Sequence, residues 1–182
     1  MIIDNVLPKS YSNEIKNLLC SDMFPWYFNN EIVPTAVDLM DPFQFTHTII
    51  VDGEPRSDVY QLIKPMLYFI EWHTNAKIKK VVRAKANLIT RNNSVFDAYK
   101  TMHQDNEINY KSFLYYVDDS DGDTIIFADD KKTEVLRITP QENKAVYFDS
   151  TTWHTSSIPN VAKKRVVINF VLEVDDESSK GD

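Results

Sequence analysis

The stretch 113-FLYYVDDSDGDTIIF-127 joins two apolar runs through six polar residues. Phe113–Val117 and Thr124–Phe127 are rich in aromatic and β-branched side chains, which suits strands, and 118-DDSDGD-123 has the composition of a turn. Runs of the same kind follow at 134-EVLRIT-139, 145-AVYF-148 and 165-RVVINFVL-172, separated by 128-ADDKKT-133 and 140-PQENK-144. Upstream, 81-VVRAKANLI-89 alternates: Arg83, Lys85, Asn87 and Ile89 share one face of an extended chain, and Ala84, Ala86 and Leu88 the other. Short strands at this spacing predict an antiparallel sandwich or barrel from about residue 78 onward.

The first third reads differently. Ile15, Leu18 and Leu19 recur at helical spacing, with Ser12 as the candidate N-cap. 43-FQFTHTIIV-51 reads as a strand and 52-DGEP-55 as a turn. In 57-SDVYQLIKPMLYFIEWH-73, Tyr60, Ile63, Leu67 and Ile70 fall on one helical face, and Pro65 should kink or divide the helix. The fold class is therefore mainly β with N-terminal helices. One domain is expected over residues 1–174, helical to about 77 and β from 78, followed by a disordered polar tail at 175–182.

Composition removes many chemistries. The three glycines, Gly53, Gly122 and Gly181, are too scattered for a phosphate-binding loop, a dinucleotide fingerprint or a nucleophile elbow. Cys20, the single cysteine, excludes an internal disulfide and paired-cysteine zinc sites and suits a reducing, cytoplasmic compartment. No apolar run approaches membrane-spanning length, and the N-terminus lacks a secretory signal pattern. A net charge of -7 argues against nucleic acid as the main partner. Arg83, Lys85 and Arg91, like Lys77, Lys79 and Lys80, are read as solvated loop ends.

Against that background, 100-KTMHQDNEIN-109 stands out. His103 and Asp105, two apart on an extended segment, can present a ring nitrogen and a carboxylate oxygen towards one point. A divalent ion needs a third ligand, for which His47, His73 and His154 are candidates. Two histidines and one carboxylate on one side of an ion form the facial arrangement of non-haem Fe(II) oxygenases. Arg165 opens an apolar strand soon after His154, and its fork suits the far end of a dicarboxylate.

From Val81 to Leu172 the chain resembles the 2-oxoglutarate and Fe(II)-dependent oxygenases, in particular the prolyl 4-hydroxylase-like branch with its small bacteriophage members. The resemblance rests on "KANLI", "HQD", "FLYYVDDSDGDTIIF", "NKAVYFDSTTWH" and "RVVINF", in the family's order. It implies a double-stranded β-helix, or jelly roll, with helices packed outside. It assigns His103, Asp105 and His154 to iron, and Arg165 and Tyr116 to the distal carboxylate of 2-oxoglutarate, with Asn87 at an inward position beside the co-substrate. Alternation agrees, turning Leu114 and Tyr116 inward and Tyr115 outward. Trp153, Asn169, Ile89 and Leu114 are candidate pocket walls. Many relatives carry a tyrosine where Ile89 stands here, so one polar contact is missing. His47 and His73 lie outside the matched region and are assigned structural roles.

The implied chemistry consumes dioxygen and 2-oxoglutarate at Fe(II), with ascorbate as an accessory reductant, and hydroxylates a peptidyl proline. A small molecule remains an alternative substrate. A nucleic-acid demodifying oxygenase, a cupin-like enzyme using zinc or manganese, and a non-catalytic jelly-roll binding protein are the rivals. Residues 90–102, just before the first ligand, are a candidate lid.

Overall fold

The computed structural model describes residues 1–29, 43–91 and 102–176. Residues 92–101 of the candidate lid at 90–102, and the tail from 177, lie outside the described residues. The strands are β1 (Ile2–Ile3), β2 (Tyr27–Asn29), β3 (Gln44–Val51), β4 (Glu54–Pro55), β5 (Ala76–Thr90), β6 (Lys111–Tyr116), β7 (Thr124–Phe127), β8 (Glu134–Ile138), β9 (Lys144–Asp149), β10 (His154–Ser156) and β11 (Lys164–Asp176). The helices are α1 (Lys9–Leu19), α2 (Val59–Ile63) and α3 (Met66–Thr74).

Two antiparallel sheets form. The larger has the order β1-β9-β6-β11-β5-β3-β2, with β4 beside β3; the smaller has the order β10-β7-β8. The chain crosses from one sheet to the other at 118-DDSDGD-123, returns after β8, and crosses twice more around β10. The two runs flanking that turn are therefore not hairpin partners. β6 pairs with β9 and β11, whereas β7 pairs with β8 and β10. This criss-cross resolves the expected sandwich or barrel into a two-sheet jelly roll.

Alternation decides which core each residue enters. On β11, Val166, Ile168, Phe170 and Leu172 share a core with Phe113, Tyr115, Ala84 and Ala86, and with Ile15 and Leu19 of α1, Ile63 of α2, and Met66 and Ile70 of α3. The helices thus cover the outer face of the large sheet. The opposite face carries Leu114, Tyr116, Val146 and Val167, which meet Ile126 and Ile138 of the small sheet. Full burial of each large aliphatic or aromatic side chain contributes about 1.5–3 kcal/mol.

Several expectations need correction. Helix α1 begins at Lys9 with Pro8 as its N-cap; Ser12 is buried inside it, its hydroxyl donating to the Lys9 carbonyl. A proline at the start costs nothing there, because its missing N–H has no intrahelical partner. Pro65 does divide α2 from α3. The division at residue 77 is not a boundary in the fold: β1, β2 and β3 join the large sheet, and β3 pairs along β5 from Phe45 to Val51. β11 runs through Asp176, whose partner is Ala76, so its last two residues occupy the start of the expected tail. Of the basic residues read as loop ends, Arg91 is exposed, whereas Arg83 and Lys85 face inward beneath the small sheet.

Candidate metal centre

His103 and His154 are 51 positions apart, yet their backbones form an isolated antiparallel bridge. Each N–H donates to the other's carbonyl at 3.0 Å. The ring centroids stand 4.4 Å apart. Asp105 is anchored next to them by its own N–H, which donates to the Ser150 carbonyl at 2.9 Å. Buried Ser150 also bonds through its hydroxyl to the Ile108 carbonyl and the Tyr110 N–H, closing the loop that carries the ligands. The ligand atoms of His103, Asp105 and His154 lie within 4.8 Å of one another.

The second ring of contacts sets the chemistry of these atoms. His154 Nδ1 lies 2.8 Å from the Thr152 carbonyl. A carbonyl can only accept, so Nδ1 carries a proton, and Nε2 is the nitrogen that faces Asp105 Oδ2, at 3.7 Å. Asp105 Oδ1 accepts from Arg83 Nη2 at 2.8 Å and Asn169 Nδ2 at 2.7 Å, and Oδ2 accepts from Ser112 Oγ at 2.7 Å. Burial alone would raise its pKa. The positive ends of His154, Arg83 and His103, and the Ser112 hydrogen bond, outweigh burial and hold it at about 2. The carboxylate is thus ionised and immobilised before any ion arrives.

A cavity of about 280 Å³ opens between the sheets at this cluster. Arg165 lies on the same face of β11 as Asn169, four residues earlier in the strand, and is 4 % exposed. Its Nε donates to the Gly122 carbonyl and its Nη2 to Thr124 Oγ1, both at 2.7 Å. Among the described residues no carboxylate forms an ion pair with it. Burial pulls its pKa down, Tyr116 and Asp123 pull it back up, and it stays a cation. A buried cation without an anion is costly, so the part of the cavity beside Arg165 suits an anionic group.

No family model and no curated protein matches the sequence. Solved structures do. An oxidoreductase of the 2OG-Fe(II) oxygenase family from Burkholderia pseudomallei aligns with 95 % of this chain over 84 % of its own, at TM-score 0.70 and 12 % identity. The chain has the fold of the 2OG-Fe(II) oxygenases. A prolyl hydroxylase from Trichoplax adhaerens, solved with a hypoxia inducible factor peptide, aligns over 100 % of this chain and 87 % of its own, at TM-score 0.64 and 16 % identity. The alpha-ketoglutarate-dependent carbocyclase SnoK of nogalamycin biosynthesis aligns over 96 % and 79 %, at TM-score 0.67 and 10 % identity.

Within this oxygenase fold, Asn87, Ile89, Leu114 and Asn169 line the cavity together with the three candidate ligands and Arg165. Tyr116 is fully buried one layer behind. Its hydroxyl donates to Thr124 Oγ1 at 2.8 Å, and its ring lies 5.9 Å from the Arg165 guanidinium carbon. Trp153 lies outside the lining, its ring under Lys131 Nζ at 3.8 Å. His47 bonds to the Pro25 carbonyl and Ser57, and His73 to the Val6 carbonyl, and neither belongs to the cluster or the cavity lining.

Sequence reasoning missed four groups. Thr124 accepts from both Tyr116 and Arg165, which leaves its own hydrogen for the cavity it lines. Arg83 and Ser112 hold Asp105, and Gly122 backs Arg165. Inward alternation on β5 marked Arg83; nothing local marked Ser112, Gly122 or Thr124. The residues fit Fe(II) and 2-oxoglutarate on their own chemistry: a two-histidine, one-carboxylate donor set and, in the same cavity, a buried guanidinium that no carboxylate among the described residues pairs with.

Proposed function

We propose that the protein is an Fe(II)- and 2-oxoglutarate-dependent dioxygenase that hydroxylates an unactivated C–H bond, with a peptidyl proline as the first substrate class to test. One observation carries this: His103, Asp105 and His154 converge on a cavity that also holds Arg165, a buried cation with no carboxylate partner among the described residues. Bound there, ferrous iron with 2-oxoglutarate and dioxygen supplies the oxidative decarboxylation, to succinate and carbon dioxide, that drives hydroxylation.

The chain's own residues prepare the site. His154 offers Nε2 because Thr152 holds its other proton, and Asp105 offers Oδ2 because Arg83 and Asn169 occupy Oδ1. Arg165 receives the distal carboxylate of the co-substrate, with Thr124 adding a hydroxyl donor and Tyr116 supporting both from behind. Leu114, Ile89 and Val167 supply apolar wall that keeps bulk water off the reacting carbon.

The test is an anaerobic titration with Fe(II) and 2-oxoglutarate, following the visible charge-transfer band of the chelate, and then succinate release in air. Wild type should give both. His103→Ala should lose both, and Arg165→Ala should need at least about tenfold more 2-oxoglutarate for half-saturation. Absence of band and succinate in wild type defeats the proposal, and unaltered co-substrate demand in Arg165→Ala removes Arg165 from the site.

A further inference from the structure

Lys85 is the charged group of the cavity that the function above leaves without a task. It lies on the inward face of β5, opposite Asn169 on β11 and Thr48 on β3. Asn169 holds Asp105, so Lys85 stands level with the metal ligands and not at the Arg165 end. Among the described residues no hydrogen bond or ion pair holds its ammonium, whereas Arg83, two positions away, is bonded to Asp105. Around it, Arg83 Nε is a buried donor without an acceptor, and the amide oxygens of Asn87 and Asn169 are buried without a donor. The patch is therefore polar, walled and unsatisfied.

Charge points to what its cationic donors lack. The described lining carries three cations, Arg83, Lys85 and Arg165, against one carboxylate, Asp105, although the whole chain is acidic at -7. A ferrous ion and a 2-oxoglutarate dianion cancel each other, so loading the site leaves the positive surplus in place. Burial, with help from Arg83, lowers the Lys85 pKa to about 8, and the opposing pull of Asp105 is weaker. The side chain still carries its proton at neutral pH. An enclosed ammonium without an anion is unfavourable until an anion meets it.

Resting on the dioxygenase function proposed above, we infer that Lys85 receives a carboxylate of the substrate, which makes the substrate class acidic: a proline-bearing molecule with a carboxylate beside the ring. That carboxylate is either the free α-carboxylate of the amino acid or the side chain of an acidic neighbour in a peptide. Arg165 then selects the co-substrate and Lys85 the acceptor, at opposite ends of one cavity.

Two matched pairs test this on the full chain: L-proline against L-prolinamide, and acetyl-Pro-Asp-amide against acetyl-Pro-Asn-amide. With zinc in place of iron, 2-oxoglutarate bound and lysine side chains labelled with carbon-13, the Lys85 resonance is identified by its loss in Lys85→Gln or, equally, Lys85→Met. It should move with the acidic member of one pair and not with its amide, and the responding pair names the source of the carboxylate. With iron, the same acidic member should stimulate succinate release at least about tenfold more than its amide. Lys85→Gln should bring that ratio near one, and Lys85→Glu should transfer the preference to acetyl-Pro-Lys-amide. The inference is overturned if neither acidic probe moves the resonance, or if 2-oxoglutarate alone moves it fully, which would put Lys85 on the co-substrate. No iron-dependent succinate at all defeats the dioxygenase function and this inference with it; succinate release blind to acid versus amide defeats this inference alone.

Discussion

Three donors hold the Asp105 carboxylate, and they come from three strands: Arg83 from β5, Ser112 from β6 and Asn169 from β11. Arg165 is held by contact with backbone. A Cβ at Gly122 would stand 3.0 Å from Arg165 Cδ, 3.0 Å from the Ser157 carbonyl oxygen and 3.2 Å from Pro159 Cδ. Two of these neighbours belong to a loop tied by three backbone N–H groups to the Asp121 carboxylate, so the guanidinium is what must shift. Gly122→Ala should raise the 2-oxoglutarate KM by about tenfold, measured by succinate release, with Fe(II) affinity far less affected. Lys85 gives a second residue-scale prediction, on stability. Its folded pKa of about 8 lies below the ordinary 10.5, so between those values the unfolded chain binds a proton that the folded chain does not. Its penalty is complete below pH 8, falls as pH rises, and is gone above 10.5. Lys85→Gln should therefore be more stable than wild type by about 2–3 kcal/mol at pH 7, with the gap closing by pH 10.5 in urea unfolding.

At the scale of elements, β11 serves two masters. Its even-numbered residues from Val166 to Leu172 pack under the helices, and Arg165, Val167 and Asn169 face the cavity. Stability and site chemistry should separate along this one strand. Phe170→Ala should cost about 3–5 kcal/mol in urea unfolding, through a cavity between sheet and helices. Asn169→Ala removes a hydrogen bond to Asp105 instead, and should weaken Fe(II) binding by about tenfold or more in metal titration. This division was legible beforehand, because period-two alternation in "VVRAKANLI" and "RVVINFVL" needs only the chain's local geometry. The register that sets Arg165 opposite Ile89, and Asn169 opposite Lys85, was not legible. Neither were the lengths of β5 and β11, whose charged ends look like loop until each strand supplies the other's hydrogen-bond partners.

For the whole molecule, charge is distributed against the bulk. An acidic chain keeps a cavity whose described lining is net positive, with the cations Arg83, Lys85 and Arg165. Such a field draws anions inward over a distance that salt shortens, from about 10 Å at 0.1 M to about 3 Å at 1 M. If 2-oxoglutarate enters through it, its association rate should fall as sodium chloride rises from 0.05 to about 0.5 M, in stopped-flow mixing with the Fe(II) protein. A neutral ligand should show no such slope. The -7 total, read alone, predicts the opposite sign of interaction for an anion; only the folded arrangement locates the local excess.

By itself the sequence determined the strand-rich class, the break at Pro65, the faces of β5, β6 and β11, and the residue types able to bind a metal and a carboxylate. Each depends on neighbours a few positions apart, where period and side-chain chemistry are enough. Tertiary structure decided that "FLYYV" and "TIIF" belong to different sheets, that Arg83 and Ser112 converge on Asp105, that Thr124 and Gly122 shape the Arg165 end, and that Lys85 lies inside. Those facts depend on strand pairing between segments remote in the chain, and pairing is set by the joint burial of both faces of the large sheet.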